Sequence, residues 1–422
     1  MNFLQSLFAK KKEPMHARVQ EPEPEPKPVD IDAADVLLEL AERRDVDYVL
    51  RGLDAHLERI QQLDRESEAL RLLNWAEGEL RLAHAPQPSQ FALLGNIWQR
   101  LQTPQTEEPF LRAMDFYGLA LTAYRGAQEL EGMAIVQSNM GLALIELAKN
   151  DPQQYAEAIP LLEEALQYYE NGEDWSCRAD ICLNLGEAYS GLQEPGFDHY
   201  ELGREFLQRS GALYERSGDM RGQAMAQGRL GDVQVELAGQ ERQAALTKAV
   251  RHYRNALTLF VELQDLPAMA RYQERLANAY GRLGEVEHLR NSLRAAQRAV
   301  ELYEKLEQDD DLARASLGLG RLQLTLVGFG EEEELLPAFE QLRRALGLFR
   351  KLNDRQGRAE CLMGLTQIYL HGDNERQEAD MRQAFDCLAE ALAIYRLLGD
   401  DEAVAFAQRM MDNFDRAGDR VE

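Results

Sequence analysis

The chain is short of cysteine, of positive charge and of long apolar runs, and each shortage excludes a class of function. Its 422 residues hold four cysteines, Cys177, Cys182, Cys361 and Cys387. None forms a Cys-x-x-Cys pair, which excludes a disulfide framework and a zinc ribbon, and they read as reduced core thiols of a cytoplasmic protein. The seven histidines are scattered, without His-Glu-x-x-His spacing. Lysine and arginine number 47 against 73 acids, a formal net charge of -26. A general nucleic-acid binder needs a basic face to neutralise phosphates, so nucleic acid is not an expected partner. Such a surface is self-repelling. No apolar stretch approaches the roughly 20 residues of a membrane-spanning helix. The amino terminus lacks a secretory pattern, because its apolar stretch is short and its lysines follow it. There is no Walker loop and no nucleophile elbow. Strings such as GRLG and GLGR lie at repeat spacing, which favours helix packing over phosphate binding. The acids at Glu331 to Glu334 read as the opening of a helix, where negative charge suits the dipole. No enzyme, cofactor or metal site is expected.

What the chain does have is repetition. An aromatic residue is followed ten positions later by alanine, and usually seven after that by glycine. The triplets are Tyr124, Ala134, Gly141; Tyr169, Ala179, Gly186; Tyr214, Ala224, Gly231; Phe260, Ala270, Ala277; Tyr303, Ala313, Gly320; and Phe349, Ala359, Thr366. Tyr395 and Ala405 repeat the interval once more. Four residues before each aromatic stands a small residue: Ala120, Ala165, Ser210, Ala256, Ala299, Ala345 or Ala391. Fixed spacing means one structural unit reused, here roughly 45 residues long. Length varies only between the glycine and the next aromatic, so that stretch holds a surface loop. The unit reads as two helices. Helix A carries the alanine and glycine, as in RADICLNLGEAYSGL; helix B carries the small residue and the aromatic, as in VRHYRNALTLFVEL. Small residues admit close approach, and the aromatic fills space toward the next repeat. Junctions such as SGD at Ser217 to Asp219 combine a glycine for the left-handed cap with an aspartate to cap the next helix.

These segments, NLGEAY, RLGDVQ and RLANAY with ALTLF or ALAIY downstream, resemble tetratricopeptide repeats. The long unit and the GD-type junction are similar to the subgroup of kinesin light chains and Leu-Gly-Asn repeat adaptors. The proline usual after helix B and the tryptophan early in helix A are mostly missing. The resemblance implies an all-α, right-handed superhelical solenoid whose A helices line a concave groove for a peptide or protein segment. The expected layout is a tail over 1–30, a divergent helical cap over 31–87, about seven repeats over 88–400 and a capping helix with a tail over 401–422.

The groove face falls at offsets of 1, 5, 8 and 12 from the core alanine. These select Asn139 and Asn184 in earlier repeats, and Arg229, Arg271, Arg275, Asn278, Arg282, Arg314 and Arg321 in later ones. In the resembled subgroup an asparagine here fixes ligand backbone; otherwise it is a solvated polar residue. Arginines gathered on one face of an acidic chain suit carboxylates, so the expected ligand is an acidic segment. The alternative is that they pair with neighbouring acids such as Glu274. An adaptor or scaffold is the leading reading. A peptide-responsive regulatory sensor is the other, although residues 1 to 85 look too short for the usual output domain, and a scaffold using its convex face or self-association stays open.

Ahead of the repeats, Phe3, Leu4, Leu7 and Phe8 would share one side of a helix followed by Lys10, Lys11 and Lys12. That pattern fits a peripheral membrane contact. The spacer EPEPEPKPV after it spans about 28 Å at about 3.1 Å per residue. The alternative is a tail whose few apolar residues do nothing, since twelve residues make a marginal helix in water.

Overall fold

The computed structural model describes residues 39–40, 42, 45–62, 65–84, 86–101, 107–170, 172–192, 197–237, 242–371 and 377–418, and every regular element among them is helical. Phe3, Leu4, Leu7, Phe8, Lys10, Lys11 and Lys12, the residues expected to contact a membrane, lie outside them. No described helix is long and apolar enough to cross a membrane.

The chain divides into two compact units, Met1–Asp219 and Met220–Glu422. In the first, α1 (Val46–Gln62) and α2 (Glu66–Leu82) precede three helix pairs: α3 (Pro88–Arg100) with α4 (Glu108–Ala127), α5 (Leu130–Leu147) with α6 (Gln154–Tyr169), and α7 (Trp175–Gly191) with α8 (Phe197–Ser217). The second holds four pairs: α9 (Met220–Glu236) with α10 (Arg242–Glu262), α11 (Leu266–Leu283) with α12 (Val286–Lys305), α13 (Asp309–Gly328) with α14 (Leu335–Lys351), and α15 (Arg355–Leu370) with α16 (Gln377–Leu398). A single helix, α17 (Asp401–Gly418), packs on α16. Each unit is an all-α solenoid in which every pair packs on its neighbours. The acids at Glu332–Glu334 form a 3-10 turn leading directly into α14, at the helix opening where they were expected.

The repeat residues close the pairs. The helix A alanines Ala134, Ala179, Ala224, Ala270, Ala313 and Ala359 are at most 1% exposed. The small residues of helix B are as deeply buried, and the hydroxyl of Ser210 donates to the carbonyl of Ala179 at 2.8 Å. The aromatics Tyr169, Tyr214, Phe260, Tyr303, Phe349 and Tyr395 are buried, and Tyr124 is half-buried. They meet the next helix A as expected: a Cβ at Gly357 would stand 2.5 Å from the Phe349 ring, and one at Gly132 would stand 2.4 Å from the Tyr124 ring. The glycines seven beyond the alanines serve differently from the backbone approach expected of small residues. They receive a large side chain of helix B: Leu162 on Gly141, Leu207 on Gly186, Tyr253 on Gly231 and Leu342 on Gly320; Gly95, seven beyond Pro88, receives Tyr117 in the same way.

The junctions share one geometry. The residue four beyond the aromatic is left-handed at Gln128, Gly218, Gln264, Glu307, Asn353 and Gly399. The following N–H then donates to the aromatic's carbonyl, for example Asp265 to Phe260 at 3.1 Å and Asp354 to Phe349 at 3.0 Å. This is the Schellman closure, which satisfies a carbonyl left free at the helix end. Asp174, Asp265, Asp354 and Asp400 cap the next helix, each accepting from the amide three residues on.

Candidate functional site

The A helices of the second unit carry the densest exposed positive charge at the selected offsets. Arg271, Asn278 and Arg282 lie exposed on α11, and Arg314 and Arg321 lie exposed on α13. Between α11, α12 and α13 opens a cleft of about 490 Å³. Its floor is small and largely apolar, with Ala277, Gly281, Ala296 and the buried Ser292, whose hydroxyl donates to the Ala277 carbonyl at 2.7 Å; its rim holds Arg242, Glu274, Asn278, Arg282 and Arg314. A second hollow of about 460 Å³ shares Arg314 and Gly318, and adds Arg321, Asp354 and Glu360 toward α15.

The arginines are not equally free. Arg275 is half-buried, donates to Asp232 at 2.5 Å and lies over the Tyr272 ring at 5.2 Å. The other Asp232 oxygen accepts from Tyr253 at 2.8 Å, so Arg275 closes a network joining α9, α10 and α11. Burial is the largest single influence and works against its charge, but Asp232, Tyr272 and Tyr253 together outweigh it and raise its pKa. Arg229 stands 3.9 Å from the same Asp232. Arg314 pairs with Asp310 at 3.0 Å and with Asp311 on its own first turn. Arg321 reaches Glu360 on α15 at 3.1 Å. Arg271 and Arg282 make no ion pair among the described residues. The acid named as the alternative partner, Glu274, instead accepts from the Tyr303 hydroxyl at 3.1 Å.

The asparagines of the first unit sit deeper than the offset rule implies. Asn184 is only 9% exposed. Asn139 donates to the buried Asn96 carbonyl at 2.8 Å, and Tyr117 donates to the same oxygen at 2.7 Å. Asn139 thus ties α5 to α3 through a buried polar contact.

Sequence reasoning passed over Asp180, whose offset of 1 places it on this face of α7. It accepts from Tyr214 at 2.5 Å, and burial pushes its pKa up to about 6. The buried thiols are poor nucleophiles: burial pushes Cys182 to about 11 and Cys361 to about 12, far from the thiolate that reactivity requires. Among the described residues no three His, Cys, Asp or Glu side chains are grouped to hold a metal ion.

No family model matches the sequence, and no curated protein matches it. Solved structures do match. A Rap protein complexed with competence and sporulation factor is 13% identical, with a TM-score of 0.47 over 91% of this chain and 98% of that one. A signal-transduction ATPase with a tetratricopeptide repeat sensor, from Pyrococcus horikoshii, is 14% identical, with a TM-score of 0.49 over 93% of this chain and 65% of that one. Nearly identical TPR-like repeats named for a kinesin light chain of Podospora anserina are 18% identical, with a TM-score of 0.39 over 52% of this chain and 98% of theirs. At such identities and scores, it is the chain's own repeat spacing and helix pairing that make its fold a solenoid of tetratricopeptide-like helix pairs.

Proposed function

We propose that the chain is a non-catalytic adaptor or scaffold that holds an acidic peptide or protein segment along the A-helix face of its second unit. One observation carries this reading: Arg271, Asn278, Arg282, Arg314 and Arg321 stand exposed on successive A helices, and all but Arg271 line one or other of two preformed hollows there. Arginine offers a planar fork that matches a carboxylate, and positive charge concentrated on one face of an acidic chain attracts an acidic ligand. Among the described residues, Arg271 and Arg282 have no carboxylate partner to surrender. Arg314 and Arg321 hold exposed pairs, which are worth about 0–1 kcal/mol and can be exchanged for a ligand's carboxylates.

Titration of the full chain with a library of labelled acidic and neutral peptides tests this. Acidic members should bind, and Arg282→Glu with Arg314→Glu should remove that binding while the helical circular dichroism stays unchanged. Arg275 is unsuitable for this purpose, because reversing it would also break the Asp232 network. Equal affinity of the double variant for every bound peptide would reduce these arginines to surface charge.

A further inference from the structure

The cleft between α11, α12 and α13 exists because one repeat lacks a side chain that the other six possess. Seven residues before each helix B aromatic stand Tyr117, Leu162, Leu207, Tyr253, Leu342 and Leu388, at most 3% exposed. The seventh position is Ala296, on the cleft floor and partly exposed. Its counterpart on helix A is Ala277, where five other pairs have a glycine that receives the large side chain. Four residues beyond Ala277, Gly281 widens the same space; the equivalent residues elsewhere include Ile145 and Leu324. An apolar hole the size of a leucine or tyrosine side chain is therefore left open to the groove. On its rim three arginines, Arg242, Arg282 and Arg314, face one acid, Glu274. Arg242 is partly engaged with the carbonyl of Arg282 at 3.1 Å.

We infer that the Ala296 cavity is a socket for one leucine- to tyrosine-sized side chain of a partner segment, and that carboxylates flanking that side chain meet Arg282 and Arg314. The occupant replaces what the other repeats supply from their own helix B, and the rim charge makes it a residue in an acidic segment. The inference rests on the adaptor reading and sharpens it, because it states which residue of the segment anchors the rest and where.

The decisive variant is Ala296→Leu, which restores the side chain used at Leu162, Leu207, Leu342 and Leu388. The probes are short acidic peptides identical except for a central Ala, Leu, Phe or Tyr, titrated by fluorescence anisotropy against the full chain. The wild type should prefer Leu, Phe or Tyr over Ala by about 10- to 100-fold, the factor expected from burying such a side chain. Ala296→Leu should abolish that preference, keep the weak affinity for the Ala peptide, and melt at the same temperature as the wild type or higher. A wild type that does not distinguish Leu from Ala, or a variant that still does, overturns the socket while leaving acidic-peptide binding intact. Failure of every acidic peptide to bind overturns the adaptor reading together with the socket. Competition assigns the source: displacement of the Leu peptide by N-acetyl-leucine at similar concentration would make the cavity a small-amphiphile site, and displacement by a synthetic copy of residues 1–12 would make it a site for the chain's own tail. Either result overturns a partner segment as occupant.

Discussion

At the scale of the residue, the junctions show how much one dihedral angle matters. Six junctions need a left-handed residue, yet glycine supplies it only at Gly218 and Gly399. Gln128, Gln264, Glu307 and Asn353 take the same conformation with a Cβ that opposes it. Replacing Glu307 with glycine should therefore raise stability by about 0.5 kcal/mol net of the entropy glycine loses on folding, read as a higher denaturant midpoint. The same change at Glu304, inside α12, should lower it. Asp180 is a second informative residue. Burial raises its pKa to about 6, so the folded state binds a proton more tightly than the unfolded chain. Above that pH the buried carboxylate costs stability; as pH falls through about 6 toward the ordinary aspartate range the cost disappears. Asp180→Asn should stabilise the chain at pH 7 by about 2 kcal/mol and give no advantage near pH 4. A melting-temperature difference that does not change with pH would mean that Asp180 is neutralised in some other way.

Elements are held by a few positions used again and again, and that reuse makes their failures comparable. Phe260 is 2% exposed and stacks on Tyr272 with ring centroids 5.1 Å apart. Truncating it to alanine should cost about 3–5 kcal/mol in denaturant unfolding. The loss should begin among α10 and α11, since coupling in a repeat array runs between neighbours. The alanine of helix A offers an internal control. Ala359 has no exposure, whereas Ala405, at the same repeat position in α17, is exposed because no helix B follows it among the described residues. Ala359→Glu should therefore destabilise severely, as an unpaired charge forced into a core. Ala405→Glu should stay within about 0.5 kcal/mol of the parent. Seven positions on from Ala405, Asp412 stands where the other repeats place Gly, Ala or Thr. A charge there suits a face turned to solvent and would obstruct another helix B.

For the molecule as a whole, charge acts in two opposed ways. A formal net charge of -26 repels itself, and salt screens that repulsion over about 8 Å at physiological ionic strength. Salt also screens the attraction between the arginine face and an acidic segment. Raising salt should therefore lift the melting temperature while weakening acidic-peptide affinity. Affinity that is indifferent to salt would point to a ligand held by apolar contact alone.

The helix pairs were legible in the primary structure because the aromatic–alanine interval and the small residue before it are set within one pair and its neighbour, where spacing along the chain is spacing in the core. Tyr169, Ala179 and Ala165 declare their roles by position, and all three are buried. The junction aspartates were legible for the same reason, since a cap acts over three residues. The left-handed Glu307 and Gln264 were not, because nothing in a charged or amide side chain marks a conformation imposed by the closure around it. The groove followed the same division. Periodicity placed Arg271, Arg282, Arg314 and Arg321 on one exposed face, but only tertiary structure decided which were free. Asp232 and Arg275 are 43 residues apart in sequence and Arg321 and Glu360 are 39 apart, so these pairings cross from one helix pair to the next, beyond the reach of neighbour rules along a single helix. Ala296 shows the same limit. Its small size is plain in the sequence, but it becomes a cavity only when α11, α12 and α13 close around the place where a leucine would have been.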